Sequence, residues 1–305
     1  GGAGFIGSHL VDRLVSEGQE VRIIDNLSTG KLDNIQNHLR SGDAEFIKGD
    51  IRDGSLVKKS LEGVNIVIHM AALVSIPLSI EYPSLASDIN VSSTLNLLRS
   101  SVETKIEKFI FVSSCAVYGN PQSLPVMEQA PTNPISPYAE SKLIGERFCL
   151  GFSERDLLSS VVLRFFNVYG PRQDMNDYSG VITRFIDCIK QKSPLTVYGD
   201  GSQTRDFVNV NDVVAGVLAA IKNNVNSKIF NIGSGKATSI NELAQTVLEL
   251  SDEDTDIHYA NSRAGDIKDS YADISKAKKL LGYEPKLSLR DGLQILIEEK
   301  HLRQN

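Results

Sequence analysis

Cysteine is scarce in this chain. Cys115, Cys149 and Cys188 are the three among 305 residues, odd in number and far apart along the sequence. Their number and spacing argue against a disulfide framework and a close-set zinc site, so no metal is expected, and they fit a reducing, cytoplasmic compartment. Long apolar runs are missing as well: none approaches the roughly 20 residues needed to cross a bilayer, so no membrane partner is expected. Nor is there an excess of positive charge. Lys and Arg total 32 against 38 Asp and Glu, a net charge of -6, which supplies no electrostatic footprint for nucleic acid. Internal repeats and low-complexity linkers are absent too. What is present, 41% hydrophobic and 23% charged residues over this length, suffices to bury a sizeable core and to form two lobes.

The first seven residues, Gly1-Gly2-Ala3-Gly4-Phe5-Ile6-Gly7, lead into an amphipathic run through Leu10, Leu14 and Val15 that stops at Gly18. Two glycine spacings are satisfied at once: Gly2, Gly4 and Gly7 fit G-x-G-x-x-G, and Gly1, Gly4 and Gly7 fit G-x-x-G-x-x-G. Glycines so placed permit a tight turn, close approach of a pyrophosphate, and close packing of a helix whose first amides face the phosphates. The apolar run Val21-Arg22-Ile23-Ile24 then ends in Asp25, close to the distance at which an acid binds the adenosine ribose, and completes a dinucleotide fingerprint. A doubly wound sheet has a strand before such a turn. None precedes Gly1, so several more residues are expected upstream in the natural protein.

From Asp25 onward strand-like and helix-like segments alternate, the pattern of an α/β fold with a Rossmann-type, doubly wound parallel sheet. Strands are expected over residues 45–48, 66–69, 108–113 and 160–164, and helices over 54–61, 84–101 and 137–154. Ligands in such sheets sit at the carboxyl ends of the strands. Those ends read Asp25-Asn26-Leu27-Ser28-Thr29-Gly30, Gly49-Asp50-Ile51, His69-Met70-Ala71-Ala72 and Ser113-Ser114-Cys115-Ala116-Val117-Tyr118-Gly119. Asp50 reads as an adenine contact or as a plain turn residue. His69, among apolar neighbours, reads as a packed histidine. Ala71 and Ala72 are small enough to pack closely or to admit a nicotinamide ribose. Ser114 reads as a cap or as a hydroxyl that shares a substrate proton.

The stretch Ser136-Pro137-Tyr138-Ala139-Glu140-Ser141-Lys142 has the marks of a helix start, with Ser136 as its cap and Pro137 in the first turn. Residues four apart share a helix face, so Tyr138 and Lys142 can serve one ligand. A phenol with a pKa near ~10 is a poor base at neutral pH, and an adjacent ammonium favours its ionised form. Chance also produces this spacing. The surrounding motifs give it meaning.

Taken in order, these motifs resemble the extended short-chain dehydrogenases/reductases and, within them, the UDP-hexose 4-epimerases (UDP-glucose / UDP-N-acetylglucosamine 4-epimerases), over Gly1 to about Tyr283. The resemblance implies NAD as cofactor, held by Gly1, Gly4, Phe5, Ile6 and Gly7 at the pyrophosphate. Asp25, Asn26, Ser28, Thr29 and Gly30 would take the adenosine half, Asp50 and Ile51 the adenine, and Ala71, Ala72, Tyr138 and Lys142 the nicotinamide end. It makes Ser114, Tyr138 and Lys142 the catalytic residues around C4 of a UDP-sugar, with Ser75 beside the sugar. The segment from Leu163 to Arg172 resembles the one whose asparagine, here Asn167, holds the sugar diphosphate. Val197 to Phe207 resembles the uridine-side loop, with Tyr198 and with Arg205 on the pyrophosphate. Arg263-Ala264-Gly265-Asp266 brings a second arginine and Asp266. Forked guanidinium donors suit phosphate oxygens. Residues 209–221 (helix) and 228–232 (strand) are expected to return to the first lobe. The cofactor domain would then be 1–165 plus 207–232, and the smaller C-terminal substrate lobe 166–206 plus 233–305. The helices beginning at Ser84 and Pro137 imply a homodimer.

Reaction type is narrowed by comparison within the resemblance. Relatives that dehydrate nucleotide sugars carry an Asp-Glu pair where Cys115-Ala116 stand here. Relatives acting on UDP-glucuronate tend to have threonine in place of Asn167 and an arginine just after the Pro-Arg-Gln segment, where this chain has Asp174, expected to repel a carboxylate. Epimerisation remains: Tyr138 takes the 4-hydroxyl proton with Ser114 relaying or positioning it, and hydride passes to NAD. The 4-keto sugar turns about its diphosphate link and hydride returns to its other face. Ser270 falls at the position that gates the C2 substituent, and Ser75-Ile76-Pro77 resembles the Ser-Val-Pro of epimerases that accept N-acetylated sugars. Turnover of UDP-GlcNAc/UDP-GalNAc is therefore expected beside UDP-Glc/UDP-Gal. The alternatives are a UDP-glucuronate 4-epimerase or decarboxylase, and a silent NAD-binding regulator; the latter would be marked by loss of Ser114, Tyr138 or Lys142, and none is lost.

Overall fold

The alternation of apolar runs with amphipathic segments folds as its periodicity requires. In the computed structural model, which describes residues 1–174, 180–251, 255–262 and 267–302, the strands are β1 (Val21–Asp25), β2 (Ala44–Lys48), β3 (Ile66–His69), β4 (Lys108–Ser114), β5 (Ser160–Phe165), β6 (Asn167–Tyr169), β7 (Leu195–Tyr198), β8 (Thr204–Arg205), β9 (Phe207–Asn209), β10 (Lys228–Ile232), β11 (Thr238–Ser239), β12 (Ile257–Ala260) and β13 (Asp269–Ser270). A parallel sheet runs β10-β5-β4-β3, and β1 pairs with β2, also in parallel, as a separate ladder. The two meet at Gly1, whose nitrogen donates to the Ile24 carbonyl at 2.6 Å and on which a Cβ would meet the backbone of Met70 and Ala71.

Both faces of the main sheet are buried, so its strands are continuously apolar. In β4 the two-residue period sends Ile110 and Val112 to one face, where they meet Leu10 of the helix Phe5–Ser16 and Val213 and Val217 of the helix Val210–Lys222. Phe109 and Phe111 go to the other face, against Val57, Leu98 and Cys149 from the helices Gly54–Ser60, Ser93–Glu103 and Pro137–Ser153. The helix Val210–Lys222 and β10 follow residues 166–206 in sequence, yet they pack on β4 and β5. A second core joins Phe185, Ile186, Val197, Leu243, Val247 and Leu296 from the helices Val181–Lys190, Ile240–Ser251 and Leu289–Leu302 and the parallel pair β7 and β12. β8 lies between β11 and β13.

One element departs from expectation. Residues 84–101 read as a single helix, but the structure divides this stretch into Pro83–Ser87, a π turn over Asp88–Ser92, and Ser93–Glu103. The wider turn brings the Asn90 side chain inward, where Oδ1 accepts from the Leu73 amide at 2.8 Å and Nδ2 donates to the Leu73 carbonyl at 3.0 Å and to Ser141 Oγ at 2.9 Å. Buried polar groups demand such partners, and here they outweigh regular helix spacing.

Candidate active site

The glycine turn is set by steric need at three positions. A Cβ on Gly7 would stand 2.2 Å from the Gly1 carbonyl oxygen, one on Gly1 2.6 Å from the Ala71 amide nitrogen, and one on Gly2 2.7 Å from Ile23 Cγ2. Gly4 is different: its nearest neighbour would be 3.4 Å away, so the space beside it is open to a ligand. No side chain caps the helix that starts at Phe5 and Ile6, which leaves the amides of its first turn for an anion. Asp25 is buried, with Oδ2 accepting from the Ala3 amide at 3.0 Å and Oδ1 from the Leu27 amide at 2.8 Å. A side chain at Gly30 would collide with that carboxylate, at 2.8 Å from Oδ1. The Ala3 carbonyl in turn accepts from the Lys31 amide at 3.0 Å and Asn34 Nδ2 at 2.9 Å. The turn and the segment after β1 therefore hold each other, and Ser28 and Thr29 stand exposed beside them. This cradle fits a dinucleotide.

At the adenine end, Asp50 is already engaged. Arg52 Nε and Nη2 each lie 2.9 Å from one of its carboxylate oxygens, Asn26 donates to Oδ2 at 3.0 Å, and the guanidinium holds the carboxyl well below the usual range. Any adenine contact by Asp50, next to half-buried Ile51, is thus shared with Arg52, a residue that no motif singled out. Ala71 and Ala72 lie half-buried at the end of β3, Ala71 against Gly1.

Tyr138 is positioned through its backbone. Ser136 Oγ caps the helix by accepting from the Ala139 amide at 3.2 Å. The Tyr138 amide donates to Ser79 Oγ at 3.1 Å, and its carbonyl accepts from Ser141 Oγ at 2.7 Å, the hydroxyl to which Asn90 donates. Ser79, Asn90 and Ser141 are invisible as functional residues in the sequence, because their roles depend on contacts between distant segments. Burial pushes the Tyr138 phenol up to about 12, opposed by the neighbouring Ser114 hydroxyl. Ser114 Oγ also accepts from the Ala116 amide at 3.2 Å, so it is a cap and a neighbour of Tyr138 at once.

Lys142 is 4% exposed, and its Nζ donates to the Val112 carbonyl at 2.9 Å and lies 5.2 Å from the centre of the Phe111 ring. Burial lowers it to about 8, against the attraction of Glu146. His69 is packed, 2.8 Å from Thr94 Oγ1 and lowered to about 3 by burial, hence neutral.

On the substrate side, Asn167 opens β6 and donates through both its amide (3.0 Å) and Nδ2 (3.1 Å) to the Asp206 carbonyl. The Asp206 carboxylate is buried and accepts from the Ser234 amide and hydroxyl at 2.7 Å each, the Gly235 amide at 3.0 Å and the Ala272 amide at 3.1 Å. Arg205 donates to the Thr204 carbonyl at 2.8 Å and is the register partner of Ser270, which is 7% exposed. Tyr198 is half-buried, its carbonyl accepting from Gln203 Nε2 at 2.8 Å. Ser75 Oγ caps the helix Ile76–Glu81 through the Leu78 amide at 3.2 Å. Cys115 connects the two sides: burial pushes its thiol up to about 12, Asp206 adds to this and Arg205 opposes it. Arg263 and Asp266 lie outside the described residues.

Asp174 forms an exposed ion pair with Lys31, whose amide is bonded to Ala3 of the glycine turn.

Comparison with known proteins agrees with this geometry. The profile of the NAD dependent epimerase/dehydratase family matches residues 1–233. A putative UDP-glucose 4-epimerase of Methanocaldococcus jannaschii is 42% identical over 300 residues, covering 97% of this chain and 95% of that protein. The crystal structure of a UDP-glucose 4-epimerase from Thermotoga maritima with UDP-glucose is 36% identical, with a TM-score of 0.95 over 100% of this chain and 98% of that one. A UDP-N-acetylglucosamine 4-epimerase from Methanobrevibacter ruminantium in complex with UDP-N-acetylmuramic acid is also 36% identical, with a TM-score of 0.94 over 99% and 96%.

Proposed function

Because the chain belongs to the NAD dependent epimerase/dehydratase family, we propose that it is an NAD-dependent UDP-sugar epimerase that inverts C4 of a UDP-hexose through a 4-keto intermediate. The observation that carries this reading is the closeness of the buried Tyr138 phenol to the Ser114 hydroxyl at the carboxyl end of β4, where Cys115 and Ala116 provide no further acid or base for dehydration. Tyr138 removes the proton from the sugar 4-hydroxyl and gives it back, and Ser114 holds that oxygen in line. NAD, when bound, accepts and returns the hydride at C4. Lys142 lies one helical turn from Tyr138, where its ammonium serves the nicotinamide ribose hydroxyls. Arg205, with Arg263, and Asn167 anchor the diphosphate, while Ser75 and Tyr198 line the sugar and uridine sides. A sugar tied only at its diphosphate can present either face, which inversion requires.

Ser270, the register partner of Arg205, is a small side chain at the position that would gate the C2 substituent, so we assign N-acetylated UDP-hexoses to its substrates along with UDP-glucose and UDP-galactose. The cofactor domain is taken as 1–165 plus 207–232 and the substrate lobe as the remainder. A homodimer is supported by half-exposed Ile89, Leu95, Ile144 and Phe148 on the helices named for it. UDP-glucuronate is a second reading. Asn167 and the lack of an arginine at position 174 weigh against it, and a carboxylate stands in that place instead. Incubation with UDP-galactose, UDP-GalNAc and UDP-glucuronate separately, without added reductant, decides among these. C4 epimers of the first two are expected; no product from any UDP-hexose would defeat the proposal.

A further inference from the structure

Buried charge that the proposed chemistry leaves unused is concentrated at one place. Glu146 and Arg164 are 1% and 2% exposed, with Arg164 Nε 2.9 Å from Oε1 and Nη2 2.6 Å from Oε2 of the carboxylate. Ser113, also buried, donates its hydroxyl to Oε1 at 2.5 Å. A buried ion pair adds little net stability, since desolvating both charges offsets their attraction and an apolar pair of similar size often serves as well. Its location is therefore more informative than its energy.

Glu146 follows Lys142 by four residues and Tyr138 by eight, so all three share a helix face. Ser113 precedes Ser114, and Arg164 is the register partner of Ser113 on β5. The rest of Arg164 is equally engaged: Nη1 donates to the Glu128 carbonyl at 3.0 Å, and the guanidinium lies 4.6 Å from the centre of the Tyr118 ring, whose phenol donates to Asn231 Oδ1 at 2.6 Å. One carboxylate thus touches the strand beside Ser114 and stands a turn behind Lys142. One guanidinium fastens it to β5 and to the segment Cys115–Tyr118.

We infer that Glu146, held by Arg164, is a positioning residue of the catalytic centre: it fixes the Ser114 end of β4 against the Tyr138 helix and places a carboxylate one helical turn from Lys142. This rests on the roles proposed above for Ser114, Tyr138 and Lys142. The groups facing Lys142 are few. Its own helix contributes Tyr138, Cys149 and Glu146, with both the phenol and the thiol pushed up by burial and so neutral. β3 contributes His69, also neutral. β5 contributes Arg164, paired with Glu146. Among the described residues, Glu146 is the anion that opposes the effect of burial on Lys142.

The test follows the Lys142 titration directly, by NMR of protein labelled at lysine Cε and assigned with Lys142→Arg. Glu146→Gln should lower the midpoint by about one pH unit or more, because an opposite charge nearby favours the charged form. Arg164→Met should raise it, since the carboxylate loses its cation. The double variant Glu146→Gln/Arg164→Met, free of any unpaired buried charge, should titrate below wild type. Opposite shifts in the two single variants are not produced by a purely structural clamp. If neither single variant folds, the double variant decides, and a midpoint at or above wild type overturns the inference. The pH profile of kcat on UDP-galactose should move with the midpoint. Wild-type protein that turns over no UDP-hexose would defeat the proposed function and leave the titration readable, whereas an active enzyme with an unmoved midpoint in the variants defeats this inference alone.

Discussion

Alanine at Gly7 and alanine at Gly4 should separate two requirements that the glycine turn combines. On helix propensity alone, Gly7→Ala would stabilise by about 1 kcal/mol. The new methyl, however, would lie 2.2 Å from the Gly1 carbonyl oxygen and 2.8 Å from Gly2 Cα, main-chain atoms with no rotamer to change. Forced repacking costs about 1–3 kcal/mol, and a contact this short belongs at the upper end, leaving a net loss of about 2 kcal/mol. For a chain of this size that is a fall in Tm of about 4 °C. Gly4→Ala meets nothing closer than 3.4 Å, and its φ of -76° suits any residue. Alanine is the weaker N-cap, a cost of less than about 1 kcal/mol, so Tm should fall by no more than about 2 °C. Its methyl nonetheless enters the space left for a pyrophosphate. Thermal unfolding and calorimetric titration of the NAD-stripped protein provide the readout. The dissociation constant for NAD should rise at least about tenfold in both variants, equivalent to about 1.4 kcal/mol, while only Gly7→Ala loses substantial stability. Wild-type affinity in Gly4→Ala, or wild-type Tm in Gly7→Ala, would refute this account of the turn.

Tyr138→Phe should retain NAD and UDP-sugar binding while turnover falls by about 10²–10⁴, measured by coupled assay; turnover near wild type would move the chemistry elsewhere. Ser270→Tyr should abolish turnover of UDP-GalNAc and spare UDP-galactose, and equal loss on both would show that position 270 does not discriminate at C2. His69 supplies a pH dependence. Its folded-state value of about 3 lies below the ordinary 6.5, so below pH 6.5 the unfolded chain binds a proton that the folded chain does not, and stability is lost as pH falls. The loss is up to about 1.4 kcal/mol per pH unit. His69→Gln should flatten the decline in Tm between about pH 6.5 and 4.5, and an unchanged slope would assign that decline to other groups.

Legibility in the sequence followed the range of the interactions. Gly1, Gly4, Gly7 and Asp25 were readable because the turn and its acid lie within one strand-helix unit, where spacing maps onto geometry. Ser136 and Pro137 were readable for the same reason. Arg52, Ser79, Asn90 and Ser141 were not, since each acts by reaching a segment that only folding brings near: Asn90 meets Leu73 and Ser141 from a π turn that no helical periodicity announces. Asp174 was read from its place in a motif, and its ion pair with Lys31, 143 positions away in sequence, was not readable. Tyr138 and Lys142 stand one turn apart on the helix Pro137–Ser153, but four residues of separation say nothing about which neighbour each side chain finds. Lys142 finds the Val112 carbonyl, and Tyr138 finds Ser114.

The sequence by itself determined the α/β class, the parallel sheet, the dinucleotide turn and the candidacy of Tyr138, Lys142 and Ser114, because these rest on local periodicity, on the conformational freedom of glycine and on side-chain chemistry. Tertiary structure alone decided the electrostatics. Burial sets the Tyr138 phenol near 12 and the Lys142 ammonium near 8, and it encloses the Glu146–Arg164 pair between the Tyr138 helix and β5. The reason is physical: the free energy of a charge depends on what surrounds it in space, and residues far apart in the chain supply those surroundings.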